Sequence, residues 1–325
     1  MTLVLVRKLL RDLRWPLLAV WVLLFAFSAF WVKIAQRVTT EIAPFFNGLA
    51  MIQQFDKKLF DEVVFRGPGK VSQAILGGSD MQFDKPSDFL ATELLHPVVI
   101  ILASLWAVGR ASSAVAGELD RGTMELLMSQ PVPRNRLILA HFLVDLLVIP
   151  LICLAILAGT QVGLALVGPF DVDYSVLDKI KSPIPIPRGP ATLEVSAARQ
   201  GWALLNLAAL MFALSGLTML ISSLGRNRWR ATGLATFVGV IMFIANVVGQ
   251  LWESAAFVRP FTVYYYYQPQ KIWLKHSWSV DLGDAWTGGQ PLVEVPVLAV
   301  LVAVGLLGYL IALRVFSRRD LPGPL

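Results

Sequence analysis

Residues Val115–Arg136 read VAGELDRGTMELLMSQPVPRNR and form a highly charged segment between two long apolar runs. Gly122 is expected to end the incoming helix, and Pro131 to end the short helix that follows it, Thr123–Gln130. The apolar residues of this short helix recur on one face: Met124, Leu127 and Met128. The segment is therefore predicted to place a short amphipathic helix across the end of a hairpin of two membrane spans.

The composition of the whole chain is that of a membrane protein. Its 325 residues are 56% hydrophobic and 15% charged, with a mean hydropathy of +0.65. Soluble domains are about 45–50% apolar and about 25% charged. The single cysteine, Cys153, excludes an intramolecular disulfide and a cysteine metal cluster.

Six runs are long and apolar enough to cross a bilayer, which needs about 20 residues per helix. The second run has the fewest residues and can continue beyond Arg110 as a projecting helix. The predicted spans are Trp15–Val32, Leu94–Gly109, Leu137–Phe170, Gln200–Gly225, Ala231–Trp252 and Val295–Leu313. The sequence thus predicts an all-α integral membrane protein whose termini lie on the same side.

The distribution of basic residues predicts which side that is. Residues 1–14, 110–136, 226–230 and 314–325 hold 14 Lys and Arg in 58 residues, whereas residues 33–93, 171–199 and 253–294 hold 14 in 132. The positive-inside rule assigns the denser set to the cytoplasm. The net charge of +6 is therefore explained by the membrane topology, and nucleic-acid binding is disfavoured.

The loops have distinct predicted roles. Residues 1–14 alternate apolar and basic side chains, typical of an amphipathic elbow helix on an anionic membrane surface. The outer loop 33–93 contains an amphipathic helical pattern, and the outer loop 171–199 is rich in proline. In the outer loop 253–294, the run Tyr264–Tyr267 resembles an interfacial aromatic belt.

No catalytic constellation is apparent in the sequence. Gly67-Pro68-Gly69-Lys70 lacks the spacing of a phosphate-binding loop, and the three histidines are scattered. The chain is therefore not expected to be an enzyme or to bind a cofactor or metal itself.

Two features lie within the third span. His141 and Asp145 are four residues apart on one helix face and form a possible intramembrane polar site. A proton relay and a structural pairing, with each other or with a neighbouring helix, are both open. Gly159 and Gly163 are spaced to allow close contact between helices.

The central segment resembles the signature of permease subunits of type-2 ABC transporters. The similarity lies in Gly117-Glu118, in Arg121-Gly122-Thr123 and in the Leu-Leu, Pro131 and Arg134 positions that follow. In that family the segment is a coupling helix that docks into a separate ATPase subunit. The resemblance implies that coupling depends on Glu118, Arg121, Gly122, Thr123, Glu125, Leu127, Met128, Pro131 and Arg134.

The resemblance also implies the wider assembly. Residues 1–325 would form a single permease domain with a cytoplasmic coupling segment at 118–136. Two permease chains, identical or related, would pair with two ATPase subunits that bind ATP and Mg²⁺. The complex would export a cargo across the inner membrane of a prokaryote while in contact with membrane lipid; the cargo could be a lipid or glycolipid, or a small drug or ion. The alternative is a non-transporting complex that performs mechanical work on a periplasmic partner.

Overall fold

The computed structural model describes residues 2–44, 85–124, 129, 133–172, 174 and 191–319. Within these residues, six helical stretches are long and apolar enough to span a membrane, which confirms the predicted all-α membrane architecture. The helices that form them are α1 (Thr2–Arg37), α3 (Pro97–Ser112), α5 (Arg134–Val167), α6 (Gln200–Leu224), α7 (Arg228–Leu251) and α10 (Val297–Arg318).

Short elements connect these spans. A π-helical turn, Val38–Ile42, extends α1, and α2 (Pro86–Ala91) with the 3₁₀-helix Thr92–Leu95 leads into α3. Between α3 and α5 lies α4 (Ala116–Asp120). Strands β1 (Phe170–Asp171) and β2 (Thr192–Leu193) pair antiparallel and close the base of the proline-rich loop. After α7 come 3₁₀-helices Glu253–Phe261 and Val263–Tyr266, α8 (Pro269–Lys275), β3 (Ser279–Asp281), α9 (Gly283–Trp286) and β4 (Glu294–Pro296).

Helices α1 and α5 run parallel and touch through glycine. A Cβ atom added at Gly159 would lie 2.8 Å from Ser28 Cβ, and one added at Gly163 would lie 2.8 Å from the carbonyl oxygen of Ala29. The absence of these Cβ atoms lets the two backbones approach. The spacing of Gly159 and Gly163 therefore marks a real helix contact, and the partner is the first span.

Helices α6 and α10 form a second parallel pair of the same kind. A Cβ atom at Gly216 would lie 2.7 Å from Gly305 Cα, and one at Gly308 would lie 2.9 Å from the backbone nitrogen of Leu217. Helix α6 is the central span, because 72% of the residues in its 18-residue apolar stretch are buried, against 11% of those in α7. The core thus consists of two close helix pairs, with α3 packed on α6 and α7 at the periphery.

The predicted basic segments meet at one end of the bundle, here called the coupling end. Arg319 donates from Nη1 to the carbonyl oxygens of Ser223 and Gly225, at 2.8 Å each. Arg134 donates from its own Nη1 to the carbonyl of Arg319 at 2.5 Å. The ends of α6 and α10 and the start of α5 are therefore held together, as the charge distribution predicts for loops on one side.

Residues 2–14 continue into the first span without a break. The predicted boundary at Arg14 is not a helix end, since α1 is continuous through Pro16. The helix also extends beyond Val32, where Arg37 pairs with Glu41 at 3.0 Å across one turn. These i, i+4 charges prolong the helix into the region predicted as outer loop. The predicted amphipathic pattern of loop 33–93 falls largely outside the described residues.

The segment Glu253–Pro296, here called the distal segment, folds back onto the other end of the bundle. The Tyr267 hydroxyl donates to the carbonyl of Leu94 at 2.6 Å, and Asn206 Nδ2 donates to the carbonyl of Tyr266 at 3.0 Å. All four side chains of Tyr264–Tyr267 are buried in protein. Their interpretation as an interfacial aromatic belt is wrong, because all four side chains are buried inside the protein instead of facing lipid.

A single carboxylate organises the far part of the distal segment. Asp281 Oδ1 accepts backbone hydrogen bonds from Leu292 at 2.9 Å, Gly283 at 2.8 Å and Val293 at 3.2 Å. These donors hold the pKa of Asp281 below its usual value. The loop between β3 and β4 is therefore an ordered part of the distal end.

The two ends of the bundle should face opposite sides of the membrane. Ser129 and Gln290 are both exposed, and they belong to the two oppositely assigned loop sets. In a Cys153→Ala background, an impermeant thiol reagent applied to intact cells should label Gln290→Cys and spare Ser129→Cys. Labelling of both after permeabilisation is the control. The opposite pattern in intact cells would contradict the assignment of residues 118–136 to the cytoplasm.

Candidate functional site

The predicted coupling segment begins with a closed turn, Glu118–Thr123, here called the coupling turn. Arg121 Nη2 and the Thr123 hydroxyl both donate to the carboxylate of Glu118, at 2.5 Å each. Gly122 has φ of 70°, which only glycine adopts at low cost. The Glu118 carboxylate thus binds the side chains of Arg121 and Thr123, which lie on either side of the chain reversal at Gly122.

The backbone that leads into the coupling turn is anchored to the fourth span by Ser222. Its Oγ accepts from the backbone nitrogens of Val115 at 3.2 Å and Ala116 at 3.1 Å. The same hydroxyl donates to the carbonyl of Ser112 at 3.0 Å. Because Ser222 is buried, this three-bond contact joins the end of α3 and the start of α4 rigidly to α6.

A second contact joins the coupling turn to the fifth span. Asn227 Nδ2 donates to Asp120 Oδ1 at 2.8 Å, while Asn227 Oδ1 accepts from the backbone nitrogen of Arg230 and caps α7. The Thr232 hydroxyl also donates to Ser112 Oγ at 2.8 Å. The turn and the backbone just before it are therefore bonded to the end of α6 and the start of α7.

The remaining residues of the predicted coupling segment divide into three groups. Arg134 lies at the start of α5, where it bonds to Arg319. Met124, from the predicted apolar face of the short helix, is 2% exposed and packs in the chain's own core. The side chains of four other predicted residues lie outside the described residues: Glu125, Leu127, Met128 and Pro131.

A second candidate site lies inside the bundle, where charged and polar side chains from three spans meet. Arg110 of α3 forms an ion pair with Asp145 of α5, and the Tyr309 hydroxyl of α10 donates to the same carboxylate. Arg110 Nη2 also donates to the Tyr309 hydroxyl at 3.1 Å. All of these side chains are buried, so they form an intramembrane polar cluster.

His141 completes the cluster through Arg110. Arg110 Nη1 lies 3.1 Å from His141 Nδ1, and Arg110 Nη2 donates to the His141 carbonyl at 3.2 Å. A guanidinium only donates, so Nδ1 acts as acceptor and the ring proton sits on Nε2. His141 and Asp145 therefore share a cation as their partner. This geometry favours a structural role over a relay in which protons pass between them.

Sequence reasoning missed Arg110 and Tyr309 as members of this cluster. Arg110 follows the second predicted span, Leu94–Gly109, and that run is shorter than a bilayer requires. That shortness is the signal that could have placed Arg110 within the membrane. Tyr309 gave no signal, because a single tyrosine in an apolar run is common.

A third buried group, around Glu93, was also missed. Glu93 is fully buried and accepts from the Thr160 hydroxyl at 3.1 Å, and Thr160 accepts from Gln200 Nε2 at 2.6 Å. The sequence placed Glu93 at the end of the outer loop. Its carboxylate instead joins the distal ends of α5 and α6.

The Arg110–Asp145 pair should be coupled in stability measurements. Arg110→Gln or Asp145→Asn alone leaves a buried charge without its counterion, which costs about 3–5 kcal/mol. The double variant removes both charges and should recover much of that loss. Thermal unfolding of the purified wild type, the two single variants and the double variant gives the coupling energy of this double-mutant cycle. Additive losses in the double variant would show that the two side chains do not stabilise each other.

Comparison with known protein families agrees with this architecture. Residues 6–321 match the family described as ABC-2 family transporter protein. No curated protein and no solved structure matched the chain. The match covers all six spans, the coupling turn and the polar cluster. The chain therefore belongs to the ABC-2 transporter family and is a permease-type, multi-pass membrane transport component.

Proposed function

We propose that this chain is the permease subunit of an ATP-driven exporter, with residues 1–325 forming a single domain. In this assembly two permease chains associate with two ATPase subunits, which bind ATP and Mg²⁺. The chain lies in the inner membrane of a prokaryote with both termini in the cytoplasm. The exposed basic residues Arg7, Lys8, Arg11 and Arg14 then lie at the anionic inner surface.

The observation that carries the proposal is the anchoring of the coupling turn. Ser222 bonds the backbone just before the turn to α6, and Asn227 bonds the turn itself to the start of α7, so a force on the turn would act on both helices. A short helix at Thr123–Gln130 would extend from this turn and dock into the ATPase. ATP binding and hydrolysis then act on the spans as a mechanical input at the coupling end.

The ion pair of the coupling turn, Glu118 with Arg121, is better suited to contact with a partner protein than to stabilising the fold. The side chain of Arg121 is 49% exposed and that of Glu118 17% exposed. An ion pair this open to solvent contributes only about 0–1 kcal/mol to folding. Arg121 is thus held in place by Glu118 yet available to an acidic partner surface.

The apolar face of the docking helix is the first point to test. Leu127→Asp places a charge in the expected contact, and desolvating it without a counterion costs several kcal/mol. The variant should reach the membrane normally but fail to co-purify with the ATPase subunit. Leu49→Asp, in the outer loop, is the control. Unchanged ATPase binding and hydrolysis in Leu127→Asp would contradict docking at Thr123–Gln130.

Force transmission can be separated from docking at Ser222. Ser222→Ala removes the three hydrogen bonds that join the backbone just before the coupling turn to α6 and leaves the residues Thr123–Gln130 unchanged. The ATPase should still co-purify, but stimulation of its hydrolysis by transported cargo should fall severalfold. Ser223→Ala is the matched control, because among the residues that the structure describes the Ser223 hydroxyl bonds within its own helix, to the Leu220 carbonyl at 2.7 Å. Equal stimulation in both variants would rule out this anchor as the route.

A further inference from the structure

The carboxyl group of Glu93 lies between the two close helix pairs at the distal end of the bundle. Glu93 belongs to the 3₁₀-helix Thr92–Leu95 and is fully buried. Its carboxyl group contacts the Thr160 hydroxyl of α5, and the Ser28 hydroxyl of α1 lies beside it. Thr160 in turn bonds to Gln200 at the start of α6. One acid therefore touches the first helix pair and is connected to the second through a single hydroxyl.

No cation compensates this acid. Among the described residues, no lysine or arginine lies within ion-pair distance of Glu93. Nearby, the Tyr267 hydroxyl donates to the Leu94 carbonyl and the Cys153 thiol to the Leu204 carbonyl, and neither group can carry a positive charge. Other ionisable side chains on the surrounding elements make no hydrogen bond or ion pair with the Glu93 carboxyl group: Lys33 of α1, Asp88 of α2, His96, Arg199, and Lys271 and Lys275 of α8.

The hydrogens available at Thr160 indicate that Glu93 carries a proton. Thr160 Oγ1 accepts from Gln200 Nε2 at 2.6 Å. The same oxygen lies 3.1 Å from the Ile156 carbonyl oxygen and 3.1 Å from Glu93 Oε2. A hydroxyl has one hydrogen, so it can donate to only one of these two oxygens. A proton on Glu93 Oε2 satisfies both contacts, because the acid then donates to Thr160 and Thr160 donates to Ile156.

The other carboxyl oxygen supports the same assignment. Glu93 Oε1 is buried and accepts no hydrogen bond in the described part of the chain. A carboxylate carries charge on both oxygens, and a buried charge without donors or a counterion is very costly. The carbonyl oxygen of a neutral acid carries much less charge, so leaving it without a donor costs far less. Both oxygens of Glu93 therefore fit a neutral carboxylic acid.

The position of Glu93 connects this proton to closure of the distal end. The next residue, Leu94, accepts the hydrogen bond that holds Tyr267, and Asn206 of α6 binds the backbone of Tyr266 and of Gln268. The distal segment is thus fastened to the backbone that carries Glu93 and to α6. Separation of α5 from these elements would break the contact with Thr160 and admit water. Water stabilises a carboxylate, so opening of this end and loss of the proton favour each other.

We propose that Glu93 is a proton-binding site whose neutral acid holds the distal end closed. When this end opens, the proton passes from Oε2 to the entering water and the carboxylate is left solvated. Raising the pH consequently favours the open arrangement, and lowering it favours the closed one. The site requires only the permease chain, so it stands or falls separately from docking of the ATPase.

The protonation state is measured by infrared spectroscopy of the purified full-length chain in lipid nanodiscs. A neutral acid has a carbonyl stretching band that a carboxylate lacks. At neutral pH the wild type should show such a band, which Glu93→Gln loses and Glu294→Gln keeps. Glu294 is the control because it is an exposed acid at the same end. The same band intensity in wild type and Glu93→Gln would show that Glu93 is ionised and would overturn the proposal.

The wild type alone gives a second measurement, which remains decisive if the glutamine variant does not fold. An ordinary glutamate loses its proton near about pH 4.3. A neutral-acid band that persists from there to neutral pH supports the site. Its complete loss near that pH contradicts the site.

Thermal unfolding tests the sign of the proton linkage. The unfolded chain loses the Glu93 proton above about pH 4.3, whereas the closed fold keeps it. Rising pH therefore favours unfolding of the wild type, by about tenfold in the equilibrium constant per pH unit. Glu93→Gln has no proton to lose, so its melting temperature should rise relative to that of the wild type as the pH increases. A difference that stays constant with pH would count against proton binding.

Opening of the distal end is measured as a distance between spin labels. Leu166, at the end of α5, and Gln290, in the distal segment, are both exposed. With cysteines at these two positions in a Cys153→Ala background, raising the pH should add a longer distance in the otherwise wild-type chain. The same labels in Glu93→Gln should keep the shorter distance at every pH. A single distance at all pH values in the first chain, or equal widening in both, would overturn the proposal.

Discussion

The ion pair between Arg110 and Asp145 is the interaction on which the middle of this bundle depends. It joins the second and third spans, and the Tyr309 hydroxyl adds the sixth. Lipid offers no counterion or hydrogen-bond partner to a charge, so each of these groups has to be satisfied by another helix. The pairing therefore fixes which faces of three otherwise uniform apolar helices meet. Apolar packing alone leaves that choice weakly determined, because lipid tails are as apolar as leucine.

Polar side chains of the spans also bind the connecting segments at both ends of the bundle. At the coupling end, Ser222 and Asn227 bind backbone and side-chain groups of the segment after α3. At the distal end, Asn206 and Tyr267 hold the distal segment against α6 and the start of α3. These connecting segments are thus hydrogen-bonded to particular spans, so that the position of each segment depends on the position of those helices.

The number and order of the spans could be predicted from sequence because run length and hydropathy depend on local composition alone. The sidedness predicted from basic-residue density stays a prediction. The reversal at Gly122 and the contact at Gly159 and Gly163 were also local signals, although the sequence did not say that α1 is the partner. Arg110 and the tyrosines of the distal segment were misplaced for one physical reason. Hydropathy measures transfer from water, and it does not distinguish a side chain that faces lipid from one that is buried against another helix.

The glycine contacts of the two parallel helix pairs also limit how the permease can deform. Each contact places backbone against backbone at Gly159 and Gly163 on one seam and at Gly216 and Gly308 on the other. Sliding one helix along its neighbour by a turn would bring side chains with Cβ atoms into gaps that only hydrogen fits. Each pair is therefore expected to keep its register. Between the pairs the contacts are made by side chains, among them those of Arg110 with Asp145 of α5 and Tyr309 of α10, and side-chain contacts can rearrange where backbone contacts cannot.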